Sequence, residues 1–182
     1  MDVAEEFLRY DNSGLTGSFI AKKRKINQKT VSNWLKKLEG QTILKSKIQG
    51  KNKLYFLNLD NFAMVRDFVL AAEHLKTLQY YKKNPVIKEI CEKISVFILG
   101  SGIIFGSYAK GINKKGSDLD ILVIGKADEK RIKNISNRYN IDINLKIYPG
   151  LEKDLLINEV IKDHIIIKGT EDFVRGSLKW MI

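Results

Sequence analysis

The chain has 182 residues, 44% apolar and 29% charged, with a formal net charge of +11. Such a composition describes a globular protein of one domain or two small ones, either able to bury a workable core. No apolar run approaches the roughly 20 residues of a membrane span, and one cysteine, Cys91, excludes an internal disulfide and a cysteine-based zinc site.

Two histidines leave little for a His-dependent triad, and two prolines without a Gly/Ser-rich tract argue against a long disordered linker. The acidic, amphipathic residues 1–10 do not read as a secretory signal, so the expected compartment is the cytoplasm, with no membrane partner. The charge is uneven. Residues 1–60 hold twelve Lys/Arg against six Asp/Glu, and residues 61–182 hold twenty against fifteen. Excess positive charge suits nucleic acid or another polyanion, through phosphate contacts; a generally basic surface is the plain alternative for the second half.

In residues 1–60, Val3, Ala4, Phe7 and Leu8 form a helical stripe with Asp2 as its N-cap, and Asn12-Ser13-Gly14 breaks it. Residues 15–21 suggest a short second helix, followed by a basic run over 22–25. Asn27 can cap a third helix over 28–38, with Val31, Trp34, Leu35 and Leu38 inward and Gly40 at its end. Two alternating runs, 42–48 and 53–59, flank Gln49-Gly50-Lys51-Asn52, the turn of a basic hairpin.

Three helices and a basic hairpin resemble a winged helix-turn-helix domain. The resemblance implies double-stranded DNA as partner, with the third helix in the major groove and the wing on the backbone. Gln28, Lys29, Ser32, Asn33 and Lys36 are then the groove candidates, and Lys51 and Lys53 the phosphate contacts. A homodimer is expected by the same analogy. A small helical domain used for protein contacts is the other reading of that polar face.

Asp60 can cap a long helix over 61–83 with apolar positions Phe62, Val65, Phe68, Val69, Ala72, Leu75, Leu78 and Tyr81. Asn84-Pro85 breaks it, and a second helix over 86–94 follows, turning Ile87, Ile90 and Cys91 inward. His74 reads as a helix-surface or packing residue, and Cys91 as a buried small apolar one. The expected division is 1–59, a connector over 60–84, and 85–182.

Residues 96–105 read as a strand ending at Gly106-Ser107, with Gly100-Ser101-Gly102 as a bulge or kink. A short helix or turn at 108–111 and a basic loop over 113–117 lead to a strand over 118–124. Asp118 and Asp120 open that strand two residues apart and so share a face, where hard cations such as Mg²⁺ would find oxygen ligands. Backbone N–H groups at the Gly106-Ser107 turn can hold phosphate oxygens. A basic helix over 128–139 precedes a strand over 140–147, on which Asp142, Asn144 and Lys146 share a face. A helix over 154–163, a strand over 165–167 and a helix over 171–180 close the chain.

Gly106-Ser107, ten residues, then Asp118-Leu119-Asp120, with Asp142 on a later strand and the close His164-Ile165-Ile166-Ile167-Lys168-Gly169, resembles the DNA polymerase β-like nucleotidyltransferase superfamily, most of all its minimal nucleotidyltransferase branch. The resemblance covers roughly residues 85–175. It implies a C-terminal mixed-sheet palm domain, which with the N-terminal winged helix-turn-helix resemblance and the helical connector makes an α+β chain. It implies Gly106 and Ser107 on the β and γ phosphates of ATP or another nucleoside triphosphate, and two Mg²⁺ ions on Asp118 and Asp120. Asp142 would assist one metal and draw the proton from the attacking hydroxyl. Lys110, Lys114 and Lys115 are candidate further phosphate contacts. The reaction so implied moves a nucleotidyl group, AMP from ATP, to a hydroxyl on a protein, nucleic acid or small molecule. In the prokaryotic branch it suggests an antitoxin that modifies a tyrosine of a partner toxin of the HEPN type. A DNA-binding regulator that senses nucleotide without turnover is the alternative.

Overall fold

The computed structural model describes residues 2–9, 13–152 and 154–181. The chain divides into two compact units, residues 1–72 with 177–182, and residues 73–176. No helix among the described residues is long and apolar enough to cross a membrane.

In the first unit the order is α1 (Asp2–Glu5), β1 (Leu15–Thr16), α2 (Gly17–Arg24), α3 (Gln28–Gly40), β2 (Leu44–Gln49) and β3 (Asn52–Leu57), then a 3-10 turn, Leu59–Asn61. Asp2 lies within α1 rather than ahead of it, and Asn12, expected to break the first helix, lies outside the described residues. The helix expected over 15–21 starts only at Gly17, because Leu15 and Thr16 pair antiparallel with Tyr55 and Leu54 of β3. Two residues are too few to show a period, and their partner is a distant strand. Thr16 then caps α2, its hydroxyl accepting from Phe19 N at 3.1 Å.

The third helix forms as the sequence predicts. Asn27 Oδ1 accepts from Lys29 N at 2.8 Å, and Val31, Leu35 and Leu38 are buried. Trp34 is not: it is 43% exposed, with Lys37 Nζ 5.6 Å from its ring. The sheet order is β1-β3-β2, all antiparallel. Just after α1, Glu6, 2% exposed, receives Lys23 Nζ at 2.7 Å and Arg24 Nε at 2.5 Å from α2. Burial pushes its carboxyl up, but these two donors outweigh that and hold it below the ordinary carboxylate range.

The helix expected as a connector is α4 (Phe62–Lys83), and the division between the units falls inside it, after Ala72. Asp60, expected as its cap, lies in the 3-10 turn and pairs with Lys45 at 2.9 Å. Leu78, expected inward, is 63% exposed.

The second unit continues with α5 (Pro85–Ser95), β4 (Ile98–Ile104), α6 (Gly106–Lys110), β5 (Leu119–Ala127), α7 (Glu129–Tyr139), β6 (Ile143–Tyr148), α8 (Leu155–Lys162), β7 (Ile165–Lys168) and α9 (Thr170–Lys179), whose last residues belong to the other unit. Pro85 occupies the first turn of α5, where its missing N–H costs nothing. The sheet order is β6-β5-β4-β7, with β5 and β6 parallel and the other pairs antiparallel. A parallel pair needs a crossover, and α7 supplies it, burying Ile132 and Ile135. Ile87, Ile90, Cys91 and Ile94 of α5 join Ile98, Ile104, Leu119, Ile121 and Val123 in the core. The Gly-Ser-Gly stretch does hold an irregularity: the β4–β7 register shifts between Gly102 and Ile103. Gly100 (φ +107°) also faces Gly125 (φ +128°), and a Cβ on either would strike a backbone carbonyl of the opposite strand.

Candidate active site

Strand directions bring the signature residues to one edge of the four-stranded sheet. The end of β4, the starts of the antiparallel β5 and β7, and the start of β6, parallel to β5, all lie there. Phe105 N donates to Asp120 O at 3.1 Å and Leu119 N to Asp142 O at 2.7 Å, which extends both ladders to this edge.

Gly106 turns the chain off β4 with φ +69°, a conformation that suits glycine. A Cβ there would run into the Asp120 carboxylate, so the turn and the acid are in direct contact. α6 follows, with Tyr108 buried in the core beneath it. Gly111 closes α6 in the left-handed region. Lys114 and Ser117 close the next loop reciprocally, Lys114 N to Ser117 Oγ at 2.9 Å and Ser117 N to Lys114 O at 3.0 Å. Lys110, Lys114 and Lys115 are exposed on this segment.

Asp120 pairs in register with Asn144 of β6, and Asn144 Nδ2 donates to Asp120 Oδ1 at 2.8 Å. Asp118 and Asp142 each lie just ahead of their strands, outside the regular ladder that would fix their side-chain direction. Asp142 is 77% exposed at its side chain and makes a long ion pair with Lys133 Nζ, 3.5 Å. Among the described residues no three of His, Cys, Asp and Glu gather closely enough to hold a metal ion. The donor chemistry still fits a hard cation: Asp118 and Asp120 offer carboxylate oxygens, and the Asp120 carboxylate lies against the Gly106 turn. Asn144 and Lys133 are the residues that sequence reasoning left without a role. Alternation had already placed Asn144 on the face of Asp142, but only the strand register sets it opposite Asp120.

In the first unit, Gln28, Lys29, Asn33, Lys36 and Lys51 are exposed and Ser32 is half-buried. Lys53 is engaged within the unit, 2.8 Å from Glu39 and 5.0 Å from the Tyr55 ring centre.

Residues 84–175 match the family described as "Nucleotidyltransferase domain". A Methanocaldococcus jannaschii protein provisionally named a protein adenylyltransferase is 30% identical over 86 residues, 43% of this chain and 87% of the relative. A solved structure of a hypothetical protein from Pyrobaculum spherical virus aligns over 93% of this chain and 95% of its own, at 12% identity and a TM-score of 0.28, too low to indicate a shared fold. The family match runs from the start of α5 into α9 and takes in this whole end of the four-stranded sheet; the chain belongs to the nucleotidyltransferase domain family.

Proposed function

We propose that this chain transfers AMP from ATP to a hydroxyl on a protein in a Mg²⁺-dependent reaction. The observation that carries the reading is the contact between the Gly106 turn and the Asp120 carboxylate, which sets a phosphate cradle against a cation ligand. Gly106 and Ser107 would receive the β and γ phosphates, and Asp118 and Asp120 would hold the cation. Asp142 would take the proton of the acceptor hydroxyl as its oxygen bonds to the α-phosphorus and pyrophosphate leaves. Bound Mg²⁺ would neutralise the charge on the entering and leaving oxygens. A protein acceptor is favoured by the name of the Methanocaldococcus relative. A tyrosine of a HEPN-type toxin is the acceptor to test first, and it would give the chain an antitoxin role.

The first unit is read as a winged helix that binds duplex DNA. Support comes from its order of helix, short strand, two helices and hairpin, with β1 added to the hairpin sheet, and from the exposed face of α3. A nucleotide sensor without turnover is the second reading, favoured by the exposure of Asp142 and its pairing with Lys133. Incubation with α-labelled ATP, Mg²⁺ and candidate acceptors separates the two. Transfer by the wild type that disappears in Asp118→Ala and Asp142→Ala supports the enzyme. ATP binding without transfer or pyrophosphate release supports the sensor.

A further inference from the structure

One polar side chain at the catalytic edge has no part in the signature. Asn144 stands on β6 directly in register with Asp120 on β5, and its Nδ2 donates to Asp120 Oδ1 at 2.8 Å. The other oxygen, Oδ2, lies against the bare Cα of Gly106, where a Cβ would collide with it. The two ends of the carboxylate are therefore held differently. One is engaged along the sheet, and the other is presented at the turn. Without such a partner the terminal torsion of an aspartate is broad, and its oxygens would share both directions.

The residue type suits the task. An amide is neutral and can donate, so it orients Asp120 while leaving its charge intact. A carboxylate at 144 would set like charges directly across the two strands, and an aliphatic side chain would leave Asp120 Oδ1 to water.

We propose that Asn144 is a positioning residue for nucleotidyl transfer, fixing the Asp120 carboxylate so that Oδ2 faces the Gly106-Ser107 turn. This rests on the reading of Asp118 and Asp120 as cation ligands. Asn144 acts only through Asp120. Hydrogen bonds to ligating carboxylates are worth roughly 10- to 100-fold in metal affinity, which sets the size of the effect.

The test titrates the full chain with Mn²⁺ alone, reading free Mn²⁺ by its paramagnetic resonance signal. Wild type, Asn144→Leu, Asn144→Ser, Asp120→Asn and the double variant Asp120→Asn/Asn144→Leu are compared, each with a thermal melt. Both Asn144 variants should raise the Mn²⁺ Kd about tenfold or more with the melting midpoint unmoved, since Asn144 is exposed. In the Asp120→Asn background, Asn144→Leu should add nothing, the signature of a residue acting through one partner. Affinity unchanged or tightened in both Asn144 variants, with Asp120→Asn still impaired, overturns the positioning role and leaves the cation reading standing. Wild-type Mn²⁺ affinity in Asp120→Asn overturns the cation reading, and the role of Asn144 with it.

Discussion

His164 Nε2 and Glu73 Oε1 meet at 2.8 Å with neither side chain exposed. The other ring nitrogen of His164, Nδ1, lies 3.0 Å from Ile161 O. A carbonyl only accepts, so Nδ1 carries the proton of that bond. Lys76 Nζ approaches the second oxygen of Glu73 at 3.2 Å. The pair ties α4 to the residue ahead of β7, whose Ile165 pairs with Ile104 at the proposed catalytic edge.

Glu73→Leu takes a hydrogen-bond partner from the buried His164 ring and from Lys76. It should destabilise the fold by about 1–3 kcal/mol, and Glu73→Gln by less because the amide can still bond to the ring. Urea denaturation of the full chain measures both. An unshifted midpoint for Glu73→Leu would refute the assignment.

Two glycines, one at either end of α6, share a backbone conformation and differ in what surrounds them. Gly106 has φ +69° with the Asp120 carboxylate in the way of a Cβ, while Gly111 has φ +68° and open space. Gly111→Ala should cost only the left-handed backbone term, about 1–2 kcal/mol, and spare nucleotidyl transfer. Gly106→Ala should add displacement of Asp120 and lower transfer by about 10²-fold. Equal activity losses in the two variants would mean that backbone strain alone accounts for both.

Alkaline pH should weaken the second unit. Burial pushes the Cys91 thiol up to about 12, and burial first, with Cys91 next, pushes the Tyr81 hydroxyl up as well. Burial likewise raises Tyr80. Each group stays protonated in the fold at pH values where the unfolded chain has begun to lose its proton. Their contribution is therefore whole below about pH 8.5, the ordinary thiol value. It then declines with rising pH, first through Cys91 and then, above about pH 10, through the tyrosines, by up to about 1.4 kcal/mol per pH unit per group. Urea midpoints at pH 8, 9.5 and 10.5 check the trend, and Cys91→Ala should remove its first part. Cys91 should also resist thiol reagents at pH 8 until the chain unfolds; rapid labelling of the native protein would contradict its burial.

The proposed DNA surface separates exposed from engaged cations. Lys29→Ala and Lys36→Ala should each weaken duplex binding and lower the salt slope by about 1. Lys23→Ala should leave the slope nearly unchanged, because Lys23 is spent on buried Glu6, and should appear as lost stability. Fluorescence anisotropy across a salt series, beside a thermal melt, reads both. Equal salt slopes for all three variants and the wild type would remove α3 from the interface.

Much of this chain is legible in residue order. The cap and buried stripe of α3, the β2–β3 hairpin, α5 behind Asn84-Pro85, the four strands of the second unit and the acids flanking β5 all follow from periodicity and turn chemistry, which act within a few residues. The Gly106-to-Asp120 spacing together with Asp142 was enough to indicate the family. The misreadings lie where a distant partner decides. Leu15 and Thr16 are strand because they pair with β3, and Trp34 is exposed where the stripe turned it inward.

Sequence alone determined which side chains are present at the proposed catalytic edge, because their chemistry and spacing are local. Tertiary structure decided how they face one another. Parallel pairing of β5 with β6 sets Asn144, not Asp142, opposite Asp120, and Lys133 of α7 lies beside Asp142. Register is a property of two strands held together, and neither strand contains it by itself.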